Sequence, residues 1–139
     1  MARAPVDAIR QVPLFADLDD AELARLADRF VERSFSEGET VVEEGATGTS
    51  VFVIVNGNAS VSIAGELKAS LGPGDYFGEM AAMDDGTRSA SIIAATDLDV
   101  CFLTPWEFRP FVEEHPEVAW KLLRSLARRL REAQTGTQA

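Results

Sequence analysis

Residues 71–91 read LGPGDYFGEMAAMDDGTRSAS, and the rest of the chain is organised around this stretch. It opens on a Gly72-Pro73-Gly74-Asp75 turn. It then passes through an apolar run, Gly78 to Met83, that suits one or two helical turns. It reaches Arg88 through an Asp84-Asp85-Gly86 loop. One carboxylate, Glu79, and one guanidinium, Arg88, therefore stand a few residues apart beside a helix start. A guanidinium fork matches phosphate oxygens in a bidentate way. Free N–H groups at a helix start favour an anion. An ionised carboxylate only accepts hydrogen bonds, so Glu79 suits hydroxyls or backbone N–H groups. The pair suits a small ligand that bears both an anion and a hydroxyl.

Upstream of this stretch, Gly38, Gly45, Gly48, Gly57 and Gly65 punctuate short apolar runs from Phe35 onward, a spacing that predicts an antiparallel β-sandwich or β-roll. Val51 to Val55 reads as a strand buried on both faces. Asn56-Gly57 tolerates the positive φ of a hairpin, and Ala59 to Ile63 reads as the returning strand. Ala64-Gly65 is a second turn before a strand from Glu66 to Leu71. Ser91 to Ala95 and Leu98 to Leu103 form two more strands around Thr96-Asp97.

Helices are expected at both ends. Residues 1–12 read as a loose leader with at most a helical turn. Asp19 with Glu22 forms a capping-box pattern ahead of Leu23, Leu26, Ala27 and Phe30, which recur at helical spacing. Thr104, Pro105 and Glu107 repeat the capping pattern before Trp106, Phe108 and Phe111. His115-Pro116 ends that helix, and His115 reads as a turn residue. A last helix spans roughly residues 117–132 and carries Lys121, Arg124, Arg128, Arg129 and Arg131. Residues 134–139 read as a frayed tail. Ala119, Leu123, Leu126, Leu130 and Ala133 are spaced by fours and threes. A short coiled-coil seam and core packing against the β-roll both account for them.

Composition bounds the function. With 139 residues, 46% hydrophobic and 26% charged, the chain suits one soluble globular domain. It has no apolar run of membrane-spanning length and no apolar core of a secretory signal, which points to a cytoplasmic protein with no membrane partner. The net charge of −10 argues against nucleic-acid binding, and any bound nucleotide must be held by local geometry. Cys101, the single cysteine, sits in an apolar run and reads as a buried small hydrophobe. With His115 as the single histidine, a metal site and nucleophilic catalysis both lack the residues they need.

Residues 77–91, FGEMAAMDDGTRSAS, resemble the phosphate-binding cassette of the cyclic nucleotide-binding domain family. That family's pattern of Phe-Gly-Glu, an aliphatic-Ala-aliphatic run, a loop and Arg-small-Ala-Ser is filled by Phe77, Gly78, Glu79, Met80, Ala81, Arg88, Ser89, Ala90 and Ser91. Residues 13–27 are similar to the family's leading helical segment and residues 35–61 to its first strands, so the resemblance covers nearly the whole chain. It implies an α+β, mainly β fold: an antiparallel, jelly-roll-like β-roll of about eight strands over residues 35–104. Helical segments over 13–34 and 105–133 flank it within a single domain. It implies binding of cyclic AMP or cyclic GMP without catalysis, metal or further cofactor. Arg88 would grip the phosphate, and Glu79 with Gly78 would hold the ribose. Ser89 and Ala90 would complete the phosphate cradle, and Met80 and Ala81 would line the site. The last helix would act as a lid, pass ligand binding to a partner protein, or pair with a second subunit as a homodimer. No room for a DNA-reading helix-turn-helix follows it, so the expectation is a stand-alone sensor. Two departures favour an alternative, a ligand-free module for protein interaction or oligomerisation. Thr87 stands where many members carry proline, and Asp84 and Asp85 sit close in sequence to the presumed anion. A metal-dependent cupin-like enzyme is a third reading, which would require a bound metal.

Overall fold

The computed structural model describes residues 6–138, with side chains through residue 134. The leading segment forms α1 (Val6–Arg10), a 3₁₀ turn (Pro13–Phe15) and α2 (Asp20–Ala27). Eight antiparallel strands follow: β1 (Val31–Phe35), β2 (Thr40–Val42), β3 (Val51–Asn56), β4 (Ala59–Ile63), β5 (Glu66–Leu71), β6 (Tyr76–Phe77), β7 (Ser91–Ala94) and β8 (Leu98–Leu103). Between β6 and β7 lies α3 (Glu79–Asp84), and α4 (Pro105–Glu114) and α5 (Pro116–Gln138) close the chain. The strands form two four-stranded sheets, ordered β1-β8-β3-β6 and β2-β7-β4-β5. The β-roll flanked by helices is therefore the architecture of the chain.

The first sheet is the middle layer. Successive side chains of a strand point to opposite faces. Val51 and Val53 of β3 accordingly enter one core with the helices, beside Phe15, Leu23, Phe108 and Leu122. Phe52 and Ile54 enter a second core between the sheets, with Phe77, Ile92, Leu98 and Val100. This is why β3 lacks apolar–polar alternation: its residues from Val51 to Ile54 are buried on both faces.

Several local expectations change. Asn56-Gly57 does not make a hairpin, because β3 and β4 belong to different sheets and the turn carries the chain across. Gly57 has φ +88°, and a Cβ there would stand 2.2 Å from the Asp97 carbonyl oxygen in the other crossover. Ala64-Gly65 does make a hairpin, with φ values of 54° and 82° between the paired strands β4 and β5. The first strand begins at Val31, inside the segment expected to be helical, because its pairing with β8 decides its conformation. Residues 6–12 are not loose: Ile9 and Val12 are fully buried. Met1 to Pro5 and Ala139 lie outside the described residues, and α5 continues through Gln138 where a frayed tail was expected.

The capping pattern behaves differently at the two helices. At α2 both bonds form, from Glu22 N–H to Asp19 Oδ1 (2.8 Å) and from Asp19 N–H to Glu22 Oε1 (3.0 Å). At α4 the Thr104 side chain makes no capping bond, and its hydroxyl is buried without a partner. Glu107 instead pairs with Arg29 at 3.2 Å. His115 is more than a turn residue. Its Nδ1 lies 2.9 Å from the Phe111 carbonyl oxygen and its Nε2 lies 3.1 Å from Glu22 Oε2. The joint between α4 and α5 is thereby tied to α2.

Cys101 is fully buried in the core shared with the helices. Burial pushes its thiol up from about 9 to about 12. The folded state binds this proton more tightly than the unfolded chain does. The resulting stabilisation is intact below pH of about 9 and is lost as pH rises towards 12. A thiol reagent at pH 8 is expected to label Cys101 only after urea unfolding. The urea midpoint should fall between pH 9 and 12 more steeply in the parent than in Cys101→Ala.

Candidate functional site: a buried guanidinium at the mouth of the β-roll

All seven residues singled out from the sequence, Gly78, Glu79, Met80, Ala81, Arg88, Ser89 and Ala90, line one cavity of about 290 Å³. Its remaining wall is largely apolar, with Val42, Val61, Leu71 and Ile92 from the second sheet and its connections. Asp84 and Asp85 are exposed and do not line it, and Asp84 accepts a hydrogen bond from Gly86 N–H at 2.8 Å.

Arg88 is held from several directions. Its backbone N–H bonds the Ala46 carbonyl and its own carbonyl accepts from Gly45 N–H, both at 2.9 Å. Its guanidinium donates to Ser50 O at 3.1 Å and to Gly78 O at 3.3 Å, and lies over the Phe52 ring at 5.7 Å. Gly78 is required for this seat. It has φ +91°, and an added Cβ would stand 2.6 Å from Ser50 O and 2.7 Å from Arg88 Nη1. The Arg88 residue is only 6% exposed, and no carboxylate pairs with it among the described residues. Burial lowers its pKa from the ordinary guanidinium value. A buried cation satisfied only by carbonyl dipoles is costly, and the remaining N–H groups of its fork suit an anion.

Glu79 supplies the second polar feature. It is 3% exposed at the start of α3. Its Oε2 is 3.0 Å from Arg129 Nη1, yet no N–H is aligned on that oxygen, which is left without a hydrogen bond. An aligned donor, such as a ligand hydroxyl, would satisfy it.

Arg129 was not singled out from the sequence, where it read as one of several cations on a solvated face. It lies on α5 and lines the cavity opposite the cassette. Val118 and Leu122 on the same helix are buried against the core. Arg129 follows Leu122 by two helical turns, and that spacing was the available signal. Tyr76 stands beside it. Burial raises its phenol pKa, a hydrogen bond with Ser125 of α5 opposes that rise, and the nearby Glu79 and Arg129 charges act in opposite directions. α5 is thus tied to the roll through the Arg129–Glu79 pair.

The model of the cyclic nucleotide-binding domain matches residues 32–115. The chain belongs to the cyclic nucleotide-binding domain family. It is 33% identical to the cyclic AMP receptor protein of Thermus thermophilus over 126 residues, 87% of this chain and 58% of that protein. It is 38% identical to the glutaminase 2 of Bradyrhizobium diazoefficiens over 115 residues, 82% of this chain and 18% of that protein. The chain therefore spans little more than half of one relative and under a fifth of the other. The crystal structure of the Thermus thermophilus catabolite activator protein superposes with a TM-score of 0.83 at 32% identity, covering 91% of this chain and 62% of that one. No helix among the described residues is long and apolar enough to cross a membrane.

The attachment of α5 at Glu79 is testable without ligand. Arg129→Ala is expected to speed amide hydrogen exchange in α5 from Leu126 onward while exchange around Val118 and Leu122 stays slow. Unchanged exchange from Leu126 onward would mean that Arg129 does not hold the helix.

Proposed function

We propose that this chain is a regulatory module that binds a cyclic mononucleotide, cyclic AMP in the first instance, and carries out no chemistry on it. The observation that carries this reading is the buried Arg88 guanidinium, without a carboxylate partner among the described residues, sharing a cavity with Glu79, whose Oε2 is paired with Arg129 but accepts no aligned hydrogen bond. The charges support it. Arg88, Glu79 and Arg129 together leave the cavity with one uncompensated positive charge, which one cyclic phosphodiester would neutralise. The volume, about 290 Å³, is at the lower end of small-molecule pockets, which run from about 300 Å³ upward.

In this reading Arg88 holds the cyclic phosphate, and backbone N–H groups at Ser89 and Ala90 complete its cradle. Gly78 lets the ribose approach the main chain, and a ribose hydroxyl donates to Glu79. Met80 and Ala81 form the adjoining wall. The purine lies between the apolar wall of Val61 and Leu71 and the face of α5 that carries Arg129. Ligand hydroxyls supply the aligned donors that Arg129 does not, so binding alters the bond between Glu79 and α5. The helix is then the two-state element, and the nucleotide shifts it only through its unequal affinity for the two arrangements. The base preference for adenine rests on the Thermus relative, which is a cyclic AMP receptor by name.

Titration calorimetry with cyclic AMP and cyclic GMP tests this reading. Saturable binding is expected, and Arg88→Ala should weaken it by about 1.5–3 kcal/mol, or roughly tenfold to a hundredfold. Absence of heat and of a melting shift at millimolar nucleotide, with folded protein, would instead leave the ligand-free interaction module.

A homodimer through α5 is the second part of the proposal. Trp120, Leu123 and Leu130 are 63%, 58% and 60% exposed, at spacings of three and seven residues along one side of the helix. Leu122 and Val118, not these residues, pack on the core. Sedimentation should show a dimer that Leu123→Glu with Leu130→Glu dissociates into folded monomers. A parent chain that is monomeric at high micromolar concentration would remove the dimer.

A further inference from the structure

A second cavity, about 550 Å³, lies between the 3₁₀ turn and α5, next to the first and sharing Tyr76 with it. One wall is the apolar backbone turn of Pro13, Leu14 and Ala16. The other carries Lys121, Arg124 and Arg128, spaced by three and four residues so that they share a side of the helix. Tyr76 and Ser125 line it as well.

The charge of this wall runs against the rest of the molecule. The chain carries −10 overall, while α5 carries five cations and two acids. Lys121 is already used: its Nζ lies 2.9 Å from Asp17 Oδ2 and 3.0 Å from the Pro13 carbonyl, and so ties α5 to the 3₁₀ turn. Arg124 and Arg128 have no carboxylate partner among the described residues. A long polyanion such as nucleic acid would meet the acidic remainder of the surface. A short acidic segment meets only the local field, because charges more than about 8–10 Å away are screened at physiological salt.

The dimensions also suit a peptide. Side chains one helical turn apart, as in Arg124 and Arg128, stand about 5–6 Å apart. Alternate side chains on an extended peptide stand about 6.5–7 Å apart. Two acidic side chains at alternate positions can therefore meet the two guanidinium groups, while the intervening apolar side chains face Pro13 and Leu14.

We propose that this groove is the docking site for a short acidic, partly apolar segment of a partner protein, and that its occupancy is linked to the nucleotide site. The link has a physical carrier. Tyr76 lines both cavities, and the adjacent Arg128 and Arg129 of α5 line one each. Whatever repositions α5 on the roll changes both cavities, and the coupling is reciprocal. The docking stands on the groove alone; the linkage rests on the cyclic-nucleotide reading.

The test uses the full chain and a fluorescein-labelled peptide of alternating glutamate and leucine, with the glutamine–leucine peptide as its neutral control. Fluorescence anisotropy should show saturable binding of the acidic peptide that weakens with added salt, and little binding of the neutral one. Arg124→Glu with Arg128→Glu should weaken it at least tenfold. Arg25→Glu, a charge reversal on exposed α2 surface, should not. Circular dichroism checks that each variant is folded. Absence of saturable binding, equal binding by the double variant, or full displacement by low-millimolar inorganic phosphate would overturn the docking site. So would loss of self-association in the double variant with peptide competing for it, since the occupant would then be a second copy. Added cyclic AMP should change peptide affinity in the parent and not in Arg88→Ala. If calorimetry shows nucleotide binding but peptide affinity does not respond, the linkage is overturned and the nucleotide reading survives.

Discussion

Placing one guanidinium inside the protein without a counter-charge is the constraint on which this structure depends. Arg88 is fixed by carbonyls from the start of β3 and from the residue before α3, and by backbone bonds to the 45–46 turn. Three separate segments converge on it, and Gly78 and Gly48 lie against its side chain. Carbonyl dipoles offset part of the desolvation cost of the charge and leave the rest to whatever anion enters. A protein retains such an arrangement when the unfavourable burial is recovered on binding, and the rest of the fold holds this group in position.

The middle sheet performs that holding. Because β3 and β8 are packed on both faces, the core between the sheets and the seat of the helices are two sides of the same strands. Close-packed interiors do not deform continuously, so a displacement on one side must be accommodated on the other. Polar contacts tie the helices to one another and to the roll: Lys121 to the 3₁₀ turn, His115 to Glu22, and Arg129 to Glu79. The last of these lies in the cavity itself.

Three sides of α5 differ in chemistry. Val118, Leu122 and Arg129 face the roll, Trp120, Leu123 and Leu130 form an exposed apolar stripe, and Arg124 and Arg128 form a cationic edge. In the leucine seam read from spacing, Leu123 and Leu130 fall on the exposed stripe, and the core is met instead by Val118 and Leu122, which lie outside the seam. The helical period is accurate, but which side meets the core depends on the direction in which α5 leaves His115.

The sequence by itself determined the local features. Glycine turns, alternation in β4, the capping box at α2, the doubly buried β3 and the whole cassette from Phe77 to Ser91 are written within a few residues of one another. Steric limits on φ and hydrogen bonds between near neighbours act at that range. Tertiary structure alone decided the assignment of β3 and β4 to different sheets, the conversion of Val31 to Phe35 from helix flank to strand, and the release of Glu107 from capping to Arg29. It also decided the pairing of His115 with a residue 93 positions away, the seating of Arg88 on a carbonyl 38 positions away, and the arrival of Arg129 at Glu79. None of these has a local signature, because each is selected by the burial of a shared apolar face that brings distant segments together, and the polar contacts form where that packing leaves them.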